Sequence, residues 1–434
     1  MVQQQRGIIS GVFSPPAPRS VADTGLNMGL LSDLAVKALY FESYLAGRDL
    51  ADRIGLPFAG VVAGVLDFLK REQLCEVRSA SGRGGLSEAM YEYVLTARGR
   101  ENARDALERS QYVGLAPVPL VDYIESIRVQ GLKDVVVHKQ HLRKALSHLI
   151  FSPHTFEQIG PAVNSGRSIF LFGSPGNGKT SIAEAIGTLL MEGDMYIPYA
   201  VEVEGQIIKV FDDVNHKLIE EETQRGLDTR WLKIKRPFIV VGGELTLEGL
   251  DLVYDTNNKY YEAPFQMKAN GGIFLIDDFG RQQVRPTDLL NRWIVPLEKR
   301  IDFLTLHTGR KFEIPFEVLI VFSTNLEPAD LVDEAFLRRI RHKIEVHDPS
   351  WEEFAEIFKR VANAKKIPFS EQAFAYVVRE HYLKANRPPR ACHARDLLDQ
   401  VIDIAKYLNV QPVLNKELID RAAGAYFVEF EEHA

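Results

Sequence analysis

Two short stretches hold residue types that can do chemistry together. The first is SIFLFGSPGNGKTSIAEAIGTLL, residues 168–190. It reads as an apolar strand, a glycine loop and an amphipathic helix. Gly173, Gly176 and Gly178 allow the left-handed backbone that brings successive N–H groups around an anion. The loop runs into a helix N-terminus, where the helix dipole favours negative charge. Lys179 can reach the outer phosphates of a triphosphate, and Thr180 offers a hydroxyl to Mg²⁺. Gly173, Ser174, Pro175, Gly176, Asn177, Gly178, Lys179, Thr180 and Ser181 form the candidate phosphate-binding set. The second stretch is GGIFLIDDFG, residues 271–280, in which four apolar residues run straight into Asp277 and Asp278. Adjacent carboxylates at the end of a buried strand need a positive partner. A magnesium ion held by Thr180, and by Asp277 directly or through water, would supply it.

These residues need a sheet that presents them at one edge. From Val135 onward, strand-like and helix-like segments alternate, as in a parallel α/β sheet. After Asp348 the strand patterns stop and four helical segments follow, which predicts a small helical domain at residues 348–434. The α/β core is expected at 135–347. Upstream, helical spacing in GLLSDLAVKALYFESYLAG, RDLADRIGL and PFAGVVAGVLDFLKREQL is followed by two strand-like pieces, CEVRSA and MYEYVLT. A charged helix, ARGRENARDALERS, closes a unit at about 21–110. Residues 111–134 are rich in proline and glycine and read as a linker. Residues 1–20, with their Gln, Ser and Pro content, read as a mobile tail.

GSPGNGKT followed by GGIFLIDDFG resembles the Walker A and Walker B pair of AAA+ ATPases. Three later stretches carry the resemblance further. IPFEVLIVFSTN places Asn325 at the end of an apolar strand, similar to the sensor-1 element. DEAFLRRIRHKIEV resembles the segment holding the arginine finger, with Arg339 the first choice, Arg338 the second, and Arg341 nearby. HARDLLDQV resembles the lid helix bearing a sensor-2 arginine, which points to Arg395, with Arg390 as its competitor. The resemblance covers about residues 133–429. It implies a P-loop core with a C-terminal helical lid, ATP and Mg²⁺ as ligands, and a homo-oligomeric, hexameric ring in which the finger comes from the next subunit. Asn325 would orient the attacking water, and Arg395 would report the γ-phosphate to the lid. Where the family usually has Asp-Glu, this chain has Asp277-Asp278. Asp278 is one methylene short, a reach of roughly 1.5 Å, and a misplacement of about 1 Å can cost on the order of 100-fold in rate. Slow turnover is the expectation.

About a hundred residues separate Thr180 from Asp277, more than a bare crossover needs. They predict a hairpin turning at Glu204-Gly205, a strand over RWLKIKRPFIVVGG, and a short helix over TLEGLDLVYD. A second hairpin, RIDFLTLHTGRKFEIPF, turns at residues 307–310. Its place before the Asn325 strand resembles the pre-sensor-1 insertion of magnesium chelatase and MoxR-type AAA+ branches. Tyr260, Tyr261 and Phe265 are candidate client contacts on that resemblance. The N-terminal unit resembles a winged helix. Its third helix, beginning PFAGVVAGV, offers few groups for base edges, which favours protein docking or a regulatory spacer over sequence-specific DNA binding; Arg78 and Arg83 keep a nucleic-acid partner open.

The chain has 434 residues, 46% hydrophobic and 26% charged, with a net charge of -7. That balance suits a soluble protein and argues against non-specific duplex binding, which draws on a basic face. Two cysteines, Cys75 and Cys392, exclude a disulfide scaffold and fit a reducing cytoplasm. No stretch reaches the ~20 apolar residues of a membrane span. The functions to be weighed are ATP-driven remodelling of a protein partner, an ATP-dependent nucleic-acid loader or regulator, and a nucleotide switch with little turnover.

Overall fold

The computed structural model describes residues 8–9, 12–79, 87–220, 226–327 and 337–427. Its centre is a five-stranded sheet: β1 (Ser168–Phe172), β2 (Phe238–Val241), β3 (Ile273–Ile276), β4 (Leu319–Ser323) and β5 (His342–Glu345). The spatial order is β2-β3-β4-β1-β5, and every neighbouring pair is parallel. The central strands are apolar on both faces because both are covered, as parallel sheets require. Ile169, Leu171, Ile273, Leu275, Leu319 and Val321 pack with Ile182 and Ile186 on one side. Phe170, Phe274, Ile320 and Phe322 pack with Trp293 on the other. The chain leaves β1 for the far edge, returns strand by strand, and then crosses β1 to lay down β5. Such a reversal opens a crevice at the carboxyl ends of the strands.

The middle of the chain builds a second sheet beside this core. Strands Ala200–Val203 and Gln206–Lys209 form the expected hairpin, with Glu204 and Gly205 both at positive φ, 50° and 80°. RWLKIKRPFIVVGG is two strands rather than one. Trp231–Lys235 pairs antiparallel with Asp194–Pro198, whereas Phe238–Val241 is β2 of the core. The break falls at Arg236-Pro237. Proline cannot donate to a ladder, and the Arg236 guanidinium turns inward to donate to the carbonyls of Gln130 and Gly271. TLEGLDLVYD makes one 3-10 turn, Glu248–Leu250, and then a strand, Val253–Asp255.

Two other expectations are corrected. Residues 111–134 are no free linker. Val118–Pro119 joins the second sheet, and helix Leu120–Gln130 buries Tyr123 and Ile127. The Tyr123 hydroxyl donates to the Met267 carbonyl at 3.1 Å, and Gln130 donates to that of Tyr196 at 2.8 Å. Nor is the stretch 12–20 a mobile tail. Phe13 packs edge-on against Trp231, 5.2 Å between centroids, and the Asp228 N–H donates to the Pro15 carbonyl. The knot of this region is Arg230. It is buried, paired with Asp228, and donates to the carbonyls of Thr24 and Pro117 at 3.1 and 3.0 Å. One guanidinium therefore ties two distant segments to its own.

The N-terminal unit contains helices Met28–Phe41, Gly47–Ile54, Ala63–Arg71 and Ala97–Arg109 and a three-stranded sheet of Leu45–Ala46, Cys75–Ser79 and Glu92–Leu95. The third helix starts later than its apolar spacing suggests. Gly60 stands at φ 81°, and a Cβ there would lie 2.1 Å from the Arg19 carbonyl oxygen. Arg78 lies over the Tyr44 ring at 4.6 Å, while Arg83 falls outside the described residues. The hairpin Ile301–Thr305 and Lys311–Pro315 forms as expected. Two of the three suggested client contacts are packing residues. Tyr261 is fully buried and hydrogen-bonded to His307, and Phe265 stacks on Phe274. Tyr260 lies half-buried against Tyr112.

Helices Trp351–Ala364, Glu371–Val377, Ala391–Tyr407 and Lys416–Tyr426 form a separate apolar cluster around Phe354, Phe358 and Leu398. Among the described residues, no helix is long and apolar enough to cross a membrane.

Candidate nucleotide-binding site

The glycine loop leaves β1 and enters helix Lys179–Leu190 at Gly178, whose φ is 86°. A Cβ at Gly178 would meet nothing within 4 Å, so the backbone there is open to an approaching ligand. Gly173 is confined instead: a Cβ would lie 2.4 Å from the Val346 carbonyl oxygen. Lys179, 5% exposed, turns back under the loop. Its ammonium donates to the Gly173 and Ser174 carbonyls, both at 2.9 Å, and to Asn325 Oδ1 at 2.7 Å. Burial lowers its pKa, and Asp277 and Asp278 oppose that shift by favouring the charged form.

Asp277 follows β3, beside the loop. The Thr180 hydroxyl donates to its carboxylate, 2.9 Å from Oδ2. Asp278 is exposed and stands at φ 48°, a left-handed conformation that aspartate adopts more readily than most non-glycine residues. Gln282 braces this turn. Its amide donates to the carbonyls of Asp277 and Asp278 at 3.0 and 3.2 Å and accepts from the Gly280 N–H at 2.8 Å. Asn325, after β4, spans the site. Its oxygen accepts a hydrogen bond from the Lys179 ammonium, and its nitrogen donates to Asp278 Oδ1 at 3.3 Å. Three strand ends thus bring Lys179, Thr180, Asp277, Asp278 and Asn325 to one edge. This is a P-loop α/β fold.

The C-terminal helices roof that edge. A cleft of about 410 Å³ lies between the P-loop, residues 148–151, and the lid residues Ile357, Arg360, Val361, Cys392 and Arg395. Arg395 reaches the cleft wall and donates to Asp396 at 2.9 Å, whereas Arg390 does not line it. Arg339 is elsewhere. It precedes β5, the neighbour of β1, at the amino end of the strands and away from the P-loop at their carboxyl ends, and its guanidinium donates to Glu298 at 2.5 Å. Arg338, beside it, is exposed, and neither lines the cleft.

The donor set suits magnesium. Thr180 and Asp277 offer hard oxygens side by side, and the described residues contain no cluster of three or more His, Cys, Asp or Glu placed for a metal. An ion there would complete its shell with phosphate oxygens and water, as Mg²⁺ does.

Several residues in or near the cleft escaped sequence reasoning. Arg360 forms an ordinary i,i+4 pair with Glu356 and so carries no signal, yet it also donates to the Ser147 carbonyl at 2.9 Å, closing the lid over residues 148–151. The apolar HLIF stretch of residues 148–151 matches no motif. Gln282 could have been noticed only as a polar residue shortly after the paired acids.

A family model described as a domain of unknown function (DUF8689) matches residues 350–425, within the lid helices. No match was found among curated proteins. Among solved structures, a Thermotoga maritima RuvB Holliday junction branch migration motor is 14% identical. That match covers 69% of this chain and 74% of that one, with a TM-score of 0.34. NtrX from Brucella abortus in complex with ATP is 14% identical, over 66% of this chain and 59% of that one, at 0.40. Its complex with ADP is 14% identical, over 77% and 68%, also at 0.40. These likenesses are loose, and the nucleotide site stands on this chain's own geometry.

Proposed function

We propose that the chain is a Mg²⁺-dependent ATPase of the AAA+ type, working as a homo-oligomeric ring of six to remodel or assemble a protein partner. The observation that carries this reading is the convergence of a buried lysine, a Thr180–Asp277 oxygen pair and the Asn325–Asp278 bridge at one sheet edge beneath a lid. The P-loop N–H groups and Lys179 bind and orient the phosphates. Thr180 and Asp277 would hold the metal, which when bound would neutralise phosphate charge. Asp278 takes a proton from the attacking water, and Asn325 sets the direction of that water. Arg395 contacts the triphosphate from the lid. Arg339, or Arg338 in second place, lies at the opposite end of the strands from its own P-loop, so it would serve the site of a neighbouring copy. Phosphoryl transfer depends mainly on such placement and electrostatics. The winged-helix-like unit and the 301–315 hairpin, read as a pre-sensor-1 insertion, would engage the client.

Steady-state ATP hydrolysis, with and without duplex DNA, tests the reading. Turnover that duplex DNA leaves unchanged and Lys179→Ala abolishes is the expected result. Stimulation by DNA would move the assignment to a nucleic-acid factor. A second reading has one observation in its favour: Asp278 is short, exposed and engaged by Asn325. In that reading nucleotide binding alone sets assembly. Rings that form with ATP yet release no phosphate would establish it.

A further inference from the structure

Asn177 is a P-loop residue that is 7% exposed, and both ends of its amide are used. Its Nδ2 donates to Asp348 Oδ1 at 2.6 Å. Its Oδ1 accepts from the Ala391 N–H at 3.3 Å. Beside it, the Gly176 carbonyl accepts from the Cys392 N–H at 2.9 Å. The contact is close: Gly176 is at φ 85°, and a Cβ there would lie 2.3 Å from the Cys392 sulfur. Asp348 sits between the end of β5 at Glu345 and the first lid helix, which starts at Trp351. Ala391 and Cys392 open the lid helix Ala391–Tyr407, which carries Arg395 one turn further on. The first N–H groups of a helix have no partner within the helix, and here the P-loop supplies acceptors to two of them.

We propose that Asn177 and Asp348 are positioning residues for Arg395: a single amide ties the P-loop to the segment between β5 and the first lid helix and to the helix that bears the arginine. A shift of the loop at residue 177 reaches the lid through two side-chain hydrogen bonds, without requiring Arg395 to contact phosphate first. Loop and lid are thereby coupled in both directions, since linkage between two sites is reciprocal. The role in placing Arg395 rests on the ATPase reading above; the tie itself does not.

The test centres on Asp348, which lies outside the cleft lining. Hydrogen exchange of the Cys392 amide reports the loop–lid contact in the protein without nucleotide. Asp348→Ala is expected to speed that exchange roughly ten-fold, the loss of about one hydrogen bond. Amides of β3 should keep their rates. Asp348→Asn, which retains the acceptor but not the charge, should behave as the parent protein. Asn177→Asp, which sets two carboxylates together, should loosen the contact at least as much as Asp348→Ala. In ATP turnover, Asp348→Ala should lower kcat several-fold with little change in KM, and Asp348→Asn should restore it. Unchanged Cys392 exchange in Asp348→Ala, or an asparagine variant as loose as the alanine one, overturns the tie. If the parent protein hydrolyses no ATP, the ATPase reading fails separately, and the exchange rates still decide the tie.

Discussion

Lys179 and Asp278 are close in space but should fail differently when replaced. Lys179 is buried and its three acceptors are loop carbonyls and an amide, so Lys179→Ala removes the charge that draws a triphosphate in. Isothermal titration with Mg-ATP should show binding weakened at least ~100-fold, a loss consistent with a charge-assisted contact of about 3 kcal/mol. Asp278 faces the solvent side of the cleft. Asp278→Ala should leave nucleotide affinity within a few-fold while kcat falls on the order of 100-fold or more, the usual range for loss of a general base. Equal losses of affinity in both variants would contradict the division of roles. At this scale much was legible in the sequence. The spacing of Gly173 to Thr180 and the acids after β3 follow from chemistry that few other residue types can do. Gln282 and Arg360 were not legible, because a lone glutamine and an i,i+4 arginine gain meaning only from what the fold sets beside them.

Among the elements, the lid helix Ala391–Tyr407 carries a titratable liability. Burial, with Arg390 and Arg387 nearby, pushes His393 down from 6.5 to about 4. The unfolded chain therefore takes up this proton before the folded one does. Stability is intact above about pH 6.5 and falls as the pH drops towards 4. Between pH 7.5 and 5 the loss from this group alone should be roughly 2 kcal/mol. Urea unfolding of the parent protein and of His393→Asn should show it: the variant should lose less stability over that interval by about that amount. Parallel pH profiles would show that the imidazole is not responsible. Element type was well signalled where periodicity was strong, as in β3 and in the 301–315 hairpin. It failed at RWLKIKRPFIVVGG, where seven apolar, β-favouring residues conceal a change of sheet at Arg236-Pro237. It failed again at 111–134, whose prolines look like a linker although Tyr123 and Ile127 are core residues.

On the scale of the whole molecule, Arg339 lies before β5, at the opposite end of the strands from its own P-loop, and the proposed ring would bring it to the site of a second copy. Arg339→Ala should bind ATP normally and hydrolyse little. Mixed with Lys179→Ala, it should regain activity, because some sites would then combine an intact P-loop with an intact arginine. Mixtures no more active than either variant alone would argue against shared sites. The N-terminal unit presents the other question of scale. Asp228→Ala leaves Arg230 buried with backbone acceptors only, and breaking a buried pair in this way typically costs about 3–5 kcal/mol. Thermal unfolding should report a large drop in midpoint, and limited proteolysis should cut first near residues 15–24. Sequence reasoning could not foresee this arrangement, since nothing local in residues 12–30 announces a partner two hundred positions away.

That separation has a consequence for synthesis. Thr24 leaves the ribosome long before Arg230 is made, and at about 5–20 residues per second the wait is roughly ten to forty seconds. During that interval the carbonyls of Thr24 and Pro117 lack their guanidinium, and Phe13 has no Trp231 to cover it. The segment around Thr24 can therefore take its final place only after the middle sheet has been made.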